Sequence, residues 1–546
     1  MKRLYLLILA VLLTGNLSFG TEDISQLYRE RQIPVYGKVI RRKMKNLTIE
    51  DRKKVWIYFT DKGIFSNEKY ISALIIAERD LNPRSKWRRS KVRTSIVDFY
   101  DIPVNSIYID SILSTGANLR VTSKWLNAIS IEAKLSQISR IANFPFVYKI
   151  EIVLSGKRNP IQKEKILEKG IKVNQPDGLI LNYGNSYDQL NQINVVAAHE
   201  AGYKGQGIIV LMLDTGYYTE HEAIHKDQII AEWDFINNDS TTQNEPGDSL
   251  YQHNHGTYTL SALGGSKDGM LYGPAFEANF ILAKTENVPV EEPIEEDWYV
   301  AGLEWGESLG ADVSSSSLGY IDWYDFNDLD GNTAVTTVAV DRAIANGMIC
   351  VTAAGNEGTS GIIAPADADS VISVGAVDTS GNLASFSSHG PTADSRIKPE
   401  VVARGVSTYC ASASGLDYYI NTSGTSLSTP LVGGSIAVIL SAHPDWTPMM
   451  VREVLLMTAD NSDNPDNLYG WGLIDIMAAI NYEFLHGDVD RDGNVRVTDI
   501  VQIVRFILIL DIPNEYEQWA ANVNGDGSID ISDIINIINI ILCIDY

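Results

Sequence analysis

Four apolar runs constrain this chain more than anything else in it: residues 207–213, 280–283, 348–354 and 371–377. They are continuous rather than alternating, with glycines in and around them. A strand with one solvated face alternates apolar and polar side chains; a strand covered on both faces does not. Such runs belong in a parallel sheet sandwiched between helices, and helix-compatible stretches lie between them. The expected fold class is therefore α/β, a three-layer domain around a central parallel sheet, spanning 193–481 of the 546 residues. In sheets of this kind the chemistry gathers beyond the carboxyl ends of the strands.

Four motifs follow in the order Asp, His, Asn, Ser. Val210-Leu-Met-Leu-Asp214-Thr-Gly216 is a buried strand ending in an acid and a turn. His253-Asn-His255-Gly-Thr257 opens a helix-compatible run, and Val351-Thr-Ala-Ala-Gly-Asn356-Glu-Gly358 is a second strand end. Gly424-Thr-Ser426-Leu-Ser-Thr-Pro430 precedes an apolar helix over 431–442. That places Ser426 at a helix N-terminus, where unpaired N–H groups favour developing negative charge. A serine hydroxyl becomes a nucleophile when a neighbouring imidazole takes its proton. His255 is the candidate base, and Asp214 the carboxylate that fixes its tautomer. The Ser426 N–H and the Asn356 side-chain amide are the candidate oxyanion donors. Singly these signals are weak: Asp-Thr-Gly is an ordinary strand ending, Asn356 reads equally as a cap, and His253 competes with His255. Their order and contexts together carry the reading, and the His-Gly-Thr context favours His255.

The four motifs resemble the signatures of subtilisin-like serine proteases, the subtilase family. Ser316-Ser-Leu-Gly319 is similar to that family's substrate-cradling strand, Ser373-Val-Gly-Ala-Val-Asp378 to a core strand, and Phe386-Ser-Ser388 with Gly390 to the segment after it. Tyr469-Gly-Trp-Gly-Leu-Ile474 resembles its closing motif; the resemblance covers about 205–479. It implies a serine endopeptidase working through an acyl-enzyme on Ser426, with Asp214, His255 and Asn356 in the roles above. It further implies that Ser316, Leu318 and Gly319 pair with an extended substrate. Ala353, Ala354 and Gly355 would line the pocket for the residue before the scissile bond. The pocket-floor position, commonly small in the family, falls on Ile363, which either makes the pocket shallower or simply packs in the core. The acids Glu291-Glu292 and Glu295-Glu-Asp297 read as a solvated loop, with a preference for basic substrates as the lesser alternative.

Residues 1–160 hold 28 basic and 14 acidic side chains, whereas the rest of the chain holds 16 basic and 55 acidic, for a net charge of −25. The acidic bulk argues against a nucleic-acid binder. Lys2-Arg3, an apolar run over 4–13 and Ser18-Phe-Gly20 read as a secretory signal peptide over 1–20, too short to span a membrane; a retained anchor is the lesser alternative. The mature form is then extracellular, with no membrane span. Residues 21–155, with a small α+β unit at 54–155, resemble the family's inhibitory propeptide. The opposite charges suit docking of this segment on the acidic domain. Residues 156–192 read as a linker containing the maturation site. Cys350, Cys410 and Cys543 make no disulfide framework; Cys350 reads as a buried apolar residue.

The C-terminal 487–546 repeats a twelve-residue loop. Asp488, Asp490, Asp492, Asn494 and Asp499 take positions one, three, five, seven and twelve, with Gly493 at six. Asn522, Asn524, Asp526, Ser528 and Asp533 repeat them, with Gly527 at six. Hard oxygen ligands at this spacing suit calcium, one ion per loop; further calcium in the central domain is compatible with the resemblance. An apolar helix follows each loop. Ending in Asp rather than Glu, the repeat resembles a dockerin, which implies a cohesin-type scaffold partner met near Val497-Thr498 and Ile531-Ser532. A calcium-stabilised terminal domain without a partner is the alternative. Three readings of the whole chain remain: a secreted zymogen acting on protein substrates, a catalytically silent binding protein whose tail is the working part, or an enzyme that processes only itself.

Overall fold

The computed structural model describes residues 27–33, 35–37, 40–41, 48–153, 175–288, 295–321, 324–490, 494–513, 515–525 and 527–542. The signal-peptide reading of 1–20, Glu291-Glu292, Asp492, Asp526, Cys543 and most of the linker lie outside them.

The N-terminal domain is an antiparallel four-stranded sheet with helices. Its elements run β1 (Arg52–Phe59), α1 (Asn67–Asp80), α2 (Pro83–Ser90), α3 (Ser106–Leu113), β2 (Asn118–Ser123), β3 (Ala128–Lys134), α4 (Leu135–Ile141) and β4 (Val147–Ile152). The strand order is β2-β3-β1-β4. β3 and α2 are hard to read in the sequence for opposite reasons. β3 is covered on both faces over its first four residues, which hides the strand alternation. α2, PRSKWRRS, has no apolar stripe because its buried face is arginine: Arg88 and Arg89 are 1% and 0% exposed.

The central domain begins with α5 (Tyr187–Asn191) and α6 (Val195–Glu200), earlier than a linker to residue 192 allows. Tyr183 and Leu190 are fully buried in the main core, so the run preceding Ile193 is part of the fold. There follow β5 (Ile209–Asp214), β6 (Ile229–Asp234), α7 (Asn254–Gly264), the short β7 (Ser266–Lys267) and β8 (Leu271–Tyr272), then β9 (Asn279–Lys284), α8 (Glu295–Leu309) and β10 (Val313–Ser316). The rest are α9 (Val335–Ala345), β11 (Ile349–Ala353), β12 (Ile372–Val377), β13 (Val401–Arg404), the hairpin β14 (Thr408–Ala411) and β15 (Tyr419–Thr422), α10 (Thr425–Ala442), α11 (Pro448–Met457) and α12 (Ile476–Ile480).

Seven strands form one sheet in the order β13-β12-β11-β10-β5-β9-β6, and all its pairings are parallel. The four apolar runs are β5, β9, β11 and β12. The chain moves outward from β5 in one direction, then returns to build β10 to β13 on its other side. This puts the switch in strand order between β5 and β10, whose last residues are Asp214 and Ser316. One helical layer, with α7 and α10, buries its apolar side against β5, β11 and β12. The other layer, α8 and α9, is covered by the N-terminal sheet: Trp56, Val121 and Trp125 share a core with Tyr299, Leu303 and Val340. α10 is the one helix among the described residues long and apolar enough to cross a membrane, and it is buried as the core helix.

The acids expected in a solvated loop are instead buried in the first turn of α8: Glu295, Glu296 and Asp297 are 5%, 3% and 0% exposed. Tyr324 donates to Glu296 at 2.6 Å, Asn287 N to Glu295 at 3.0 Å, and Arg120 of β2 to Asp297 at 3.0 Å. Carboxylates suit a helix N-terminus, and these have found donors there.

The C-terminal domain is α13 (Val497–Ile507), α14 (Glu515–Ala521) and α15 (Ile531–Ile541) around a small core of Val489, Ile503, Phe506, Tyr516 and Ile537.

Candidate active site

β5 ends in Asp214, which is 1% exposed. His255, in the first turn of α7, meets it: Nδ1 lies 2.7 Å from Asp214 Oδ1. A carboxylate there holds the proton on Nδ1 and leaves Nε2 basic. The close approach depends on Gly256. A Cβ at that position would lie 2.1 Å from Gly216 O and 3.1 Å from Asp214 Cβ, so a side chain there would push α7 off the strand end. Asp214 is held by two further donors, Thr215 N to Oδ1 at 2.7 Å and Thr259 Oγ1 to Oδ2 at 2.9 Å. Thr259 was missed in the sequence, although its position one turn after His255 on the same helix was a signal.

His253 has a different environment. Its Nδ1 accepts from Asn244 N at 3.2 Å, and burial, with Lys284 adding to it, pushes its pKa down to about 4. It is a neutral, hydrogen-bonded neighbour. Lys284, the β9 residue in register with Asp214, is fully buried and bonded to Asp234 and Asp248 at 2.7 Å each. Burial lowers its pKa, but the two carboxylates outweigh it and the ammonium stays above its ordinary range.

Ser426 is the second residue of α10 and 8% exposed. The first N–H groups of a helix have no intrahelical acceptor; Thr425 N gives its hydrogen to Asn356 Oδ1 at 2.9 Å, and Thr425 Oγ1 adds a bond at 3.1 Å. With its carbonyl so engaged, Asn356 has its amide nitrogen free of that bond and beside the same helix end. Ser317 also holds the serine: its Oγ donates to Ser426 O at 2.9 Å, and Ser426 Oγ donates to Ser317 O at 3.4 Å. Ser316 and Leu318 are 1% and 3% exposed, with Leu318 packed beside Tyr299 and Tyr320. Ala353 and Ala354 are buried, and Gly355 has φ +115°. Asp214, His255, Asn356 and Ser426 thus lie at or just beyond the ends of β5, α7, β11 and α10, in that order.

In the C-terminal loops, carboxylate oxygens of Asp488, Asp490 and Asp499 lie within 4.8 Å of one another. Asp499 is fully buried and accepts from Val489 N at 2.6 Å, Asp490 N at 3.0 Å and Arg496 N at 2.7 Å. Asp533 repeats this, accepting from Asn524 N at 3.2 Å and Asp530 N at 2.9 Å. Asn522 Oδ1 is buried without a hydrogen-bond partner. A carboxylate cluster and an orphaned amide oxygen at position one fit a hard cation.

Residues 205–472 match the Subtilase family, 54–168 the Peptidase S8 propeptide domain of Bacteroidota, and 486–542 the Dockerin type I domain. Subtilisin E of Bacillus subtilis (strain 168) is 36% identical over 297 residues, 53% of this chain and 70% of its own. Subtilisin Savinase of Lederbergia lenta is 32% identical over 298 residues, 53% of this chain and 97% of its own. Among solved structures, fervidolysin from Fervidobacterium pennivorans, a keratinolytic enzyme related to subtilisin, superposes with a TM-score of 0.57 at 20% identity; the match covers 84% of this chain and 64% of that one. That likeness concerns the fold. The chain belongs to the subtilase family: it is a serine endopeptidase with an S8 propeptide domain before its catalytic domain and a dockerin type I domain after it.

Proposed function

We propose that the protein is a secreted zymogen which hydrolyses internal peptide bonds through an acyl-enzyme on Ser426. The observation that carries this reading is the 2.7 Å contact of His255 Nδ1 with a buried Asp214. In the proposed cycle His255 takes the Ser426 proton as Oγ attacks the scissile carbonyl, then gives it to the leaving amine. Asp214 stabilises the imidazolium without taking the proton. The Ser426 N–H and the Asn356 amide receive the oxyanion. Water repeats the sequence to release the acyl group. Ser316, Leu318 and Gly319 offer backbone to an extended substrate, and Ala353, Ala354 and Gly355 flank the side chain before the cut.

In this reading 1–20 exports the chain, 21–155 inhibits, a cut falls in the segment after it, the central domain through 481 catalyses, and 487–546 attaches. The exposed apolar residues of the last domain support docking to a cohesin-type scaffold. Val497, Val501 and Leu508 on α13 and just beyond it are 64%, 56% and 61% exposed, and Ile531, Ile535 and Leu542 in the second repeat are 68%, 48% and 60% exposed. Asp488, Asp490, Asn494 and Asp499, and Asn522, Asn524, Ser528 and Asp533, would hold calcium together with Asp492 and Asp526. Calcium there would neutralise the loop carboxylates and fix the two helices.

A fluorophosphonate probe should label the mature enzyme at Ser426, and Ser426→Ala should lose labelling and at least about 10³-fold in kcat. A folded, propeptide-free protein that resists the probe would instead be the binding protein whose tail is the working part.

A further inference from the structure

We infer that Thr259 is a positioning residue of this protease: standing on the same helix as His255, it takes the second oxygen of Asp214, so that one helix clasps the carboxylate at both ends and fixes the plane in which the imidazole works. The inference rests on the assignment of Asp214, His255 and Ser426 given above.

A carboxylate held by one oxygen can still turn about the bond that carries it. Asp214 Oδ1 accepts from His255 Nδ1 at 2.7 Å and from Thr215 N at 2.7 Å, and Oδ2 accepts from Thr259 Oγ1 at 2.9 Å. His255 and Thr259 stand at i and i+4 on α7 and so share a face. The imidazole and the hydroxyl are therefore parts of one rigid body, which meets the end of β5 with two donors rather than one. Gly256 lies between them in sequence. A Cβ there would stand 3.1 Å from Asp214 Cβ, and its absence lets the helix come close enough for both bonds. Asp214 is 1% exposed and Thr259 0%, so bulk water does not replace a lost donor.

The neighbouring hydroxyls of α7 show what is particular about this one. Thr257 donates to His253 O and accepts from Tyr218 N, and Ser261 donates to Tyr258 O and accepts from Ala411 N. Both are engaged with backbone, the usual use of a hydroxyl inside a helix. Thr259 has a carbonyl in reach too, Gly256 O at 3.1 Å, but its nearer acceptor is the carboxylate. A hydroxyl has one hydrogen, and an ionised acceptor makes the stronger bond.

During attack His255 becomes an imidazolium whose Nδ1–H has to stay on Oδ1. Without the Thr259 hydroxyl the carboxylate loses its second anchor, fewer bound substrates meet an aligned imidazole, and kcat falls while KM holds. The carboxylate charge is then also shared with one donor fewer. It holds the imidazolium more firmly, and His255 loses its proton at a higher pH. The charged and titratable groups packed around the clasp are Lys284 of β9, bonded to Asp234 and Asp248, with His253 of α7, Tyr217 after β5 and Glu232 of β6. Exchanging the hydroxyl for a methyl group alters none of them.

The test compares the mature wild-type enzyme with Thr259→Val, which puts a methyl group where the hydroxyl was, and Thr259→Ser, which keeps the hydroxyl. Active sites are counted by fluorophosphonate titration, and kcat and KM for one peptide substrate are measured as a function of pH. Thr259→Val should lose about tenfold or more in kcat with KM within about twofold, and the acid limb of its kcat/KM profile should move up by about half a pH unit. Thr259→Ser should stay within about threefold of wild type. Should the valine variant fail to fold, Thr259→Ala, which removes atoms without adding any, is read in its place. A kcat per labelled site within about threefold of wild type, an unmoved acid limb, or a loss that serine does not rescue would overturn the assignment. A residue that merely packs would lower Tm and leave kcat and the acid limb as they were. Labelled wild type with unaffected variants sinks the role of Thr259 alone, whereas folded wild type that is unlabelled and inactive sinks the catalytic reading and this inference with it.

Discussion

At the scale of single residues, the proposed catalytic groups are ordinary side chains made specific by neighbours. Asp214 has three donors, His255 Nδ1 among them, and so faces one way; Asn356 is oriented because Thr425 takes its carbonyl. Elsewhere a side chain is at odds with its surroundings. Burial, with Asp369 and Asp367 adding to it, pushes the Asp341 carboxyl up to about 7, against about 3.9 when unfolded. A carboxyl that binds its proton more tightly in the folded state contributes full stability below the unfolded value and loses it as pH rises through 7. Asp341→Asn should therefore raise Tm by a few degrees at pH 8 and leave it unchanged near pH 4. Melting curves at the two pH values check this, and equal shifts at both would remove titration as the cause.

At the scale of elements, the buried strands were legible because double-sided burial writes continuous apolar runs. The candidate site could be read from the sequence because Asp214, His255, Asn356 and Ser426 each sit in a short motif at or just beyond an element end. What stayed hidden was β3, too short for its two-sided burial to stand out as an apolar run, and structure stabilised by polar burial. α2 carries its buried face in arginine, and the first turn of α8 buries three acids that read as solvent-facing. The C-terminal loops lie between these extremes, with candidate ligands plain in the sequence and geometry set by backbone. Asp499 and Asp533 each gather the N–H groups of their own loop, while Asn522 Oδ1 is left without a donor. If these oxygens hold calcium, chelation should speed amide hydrogen exchange across Val497–Ile507 and Ile531–Ile541 by about tenfold or more while β5 and β11 are unaffected. Unchanged exchange in both helices after chelation would count against calcium there.

At the scale of the whole molecule, the charge split becomes a specific contact. α2 lies against the amino ends of the central strands, away from Ser426. Arg84 reaches Asp312, just before β10, through Nε at 3.0 and 3.1 Å, and Gly207 O, just before β5, at 2.6 Å. Arg89 grips both oxygens of Glu307 at 2.9 and 2.8 Å and also Asp101 at 2.8 Å. Arg88 joins the same carboxylate, and Lys91 reaches Pro444 O at 2.6 Å. Burial raises Glu307, but Arg88 and Arg89 outweigh it and hold the carboxyl below its ordinary range. Removing one partner of such a buried pair costs about 3–5 kcal/mol. In the full chain, Arg89→Met should therefore shorten the interval between processing and the appearance of activity, by about a hundredfold if release is limiting. Time courses comparing the cut on a gel with peptide hydrolysis measure it, and an unchanged interval would show that the arginine grip does not time release. If the N-terminal domain inhibits until it leaves, this grip gives activation two clocks: one is scission of the chain, the other the loosening of an arginine fastening at the amino ends of the strands, and the slower of them sets the onset of activity.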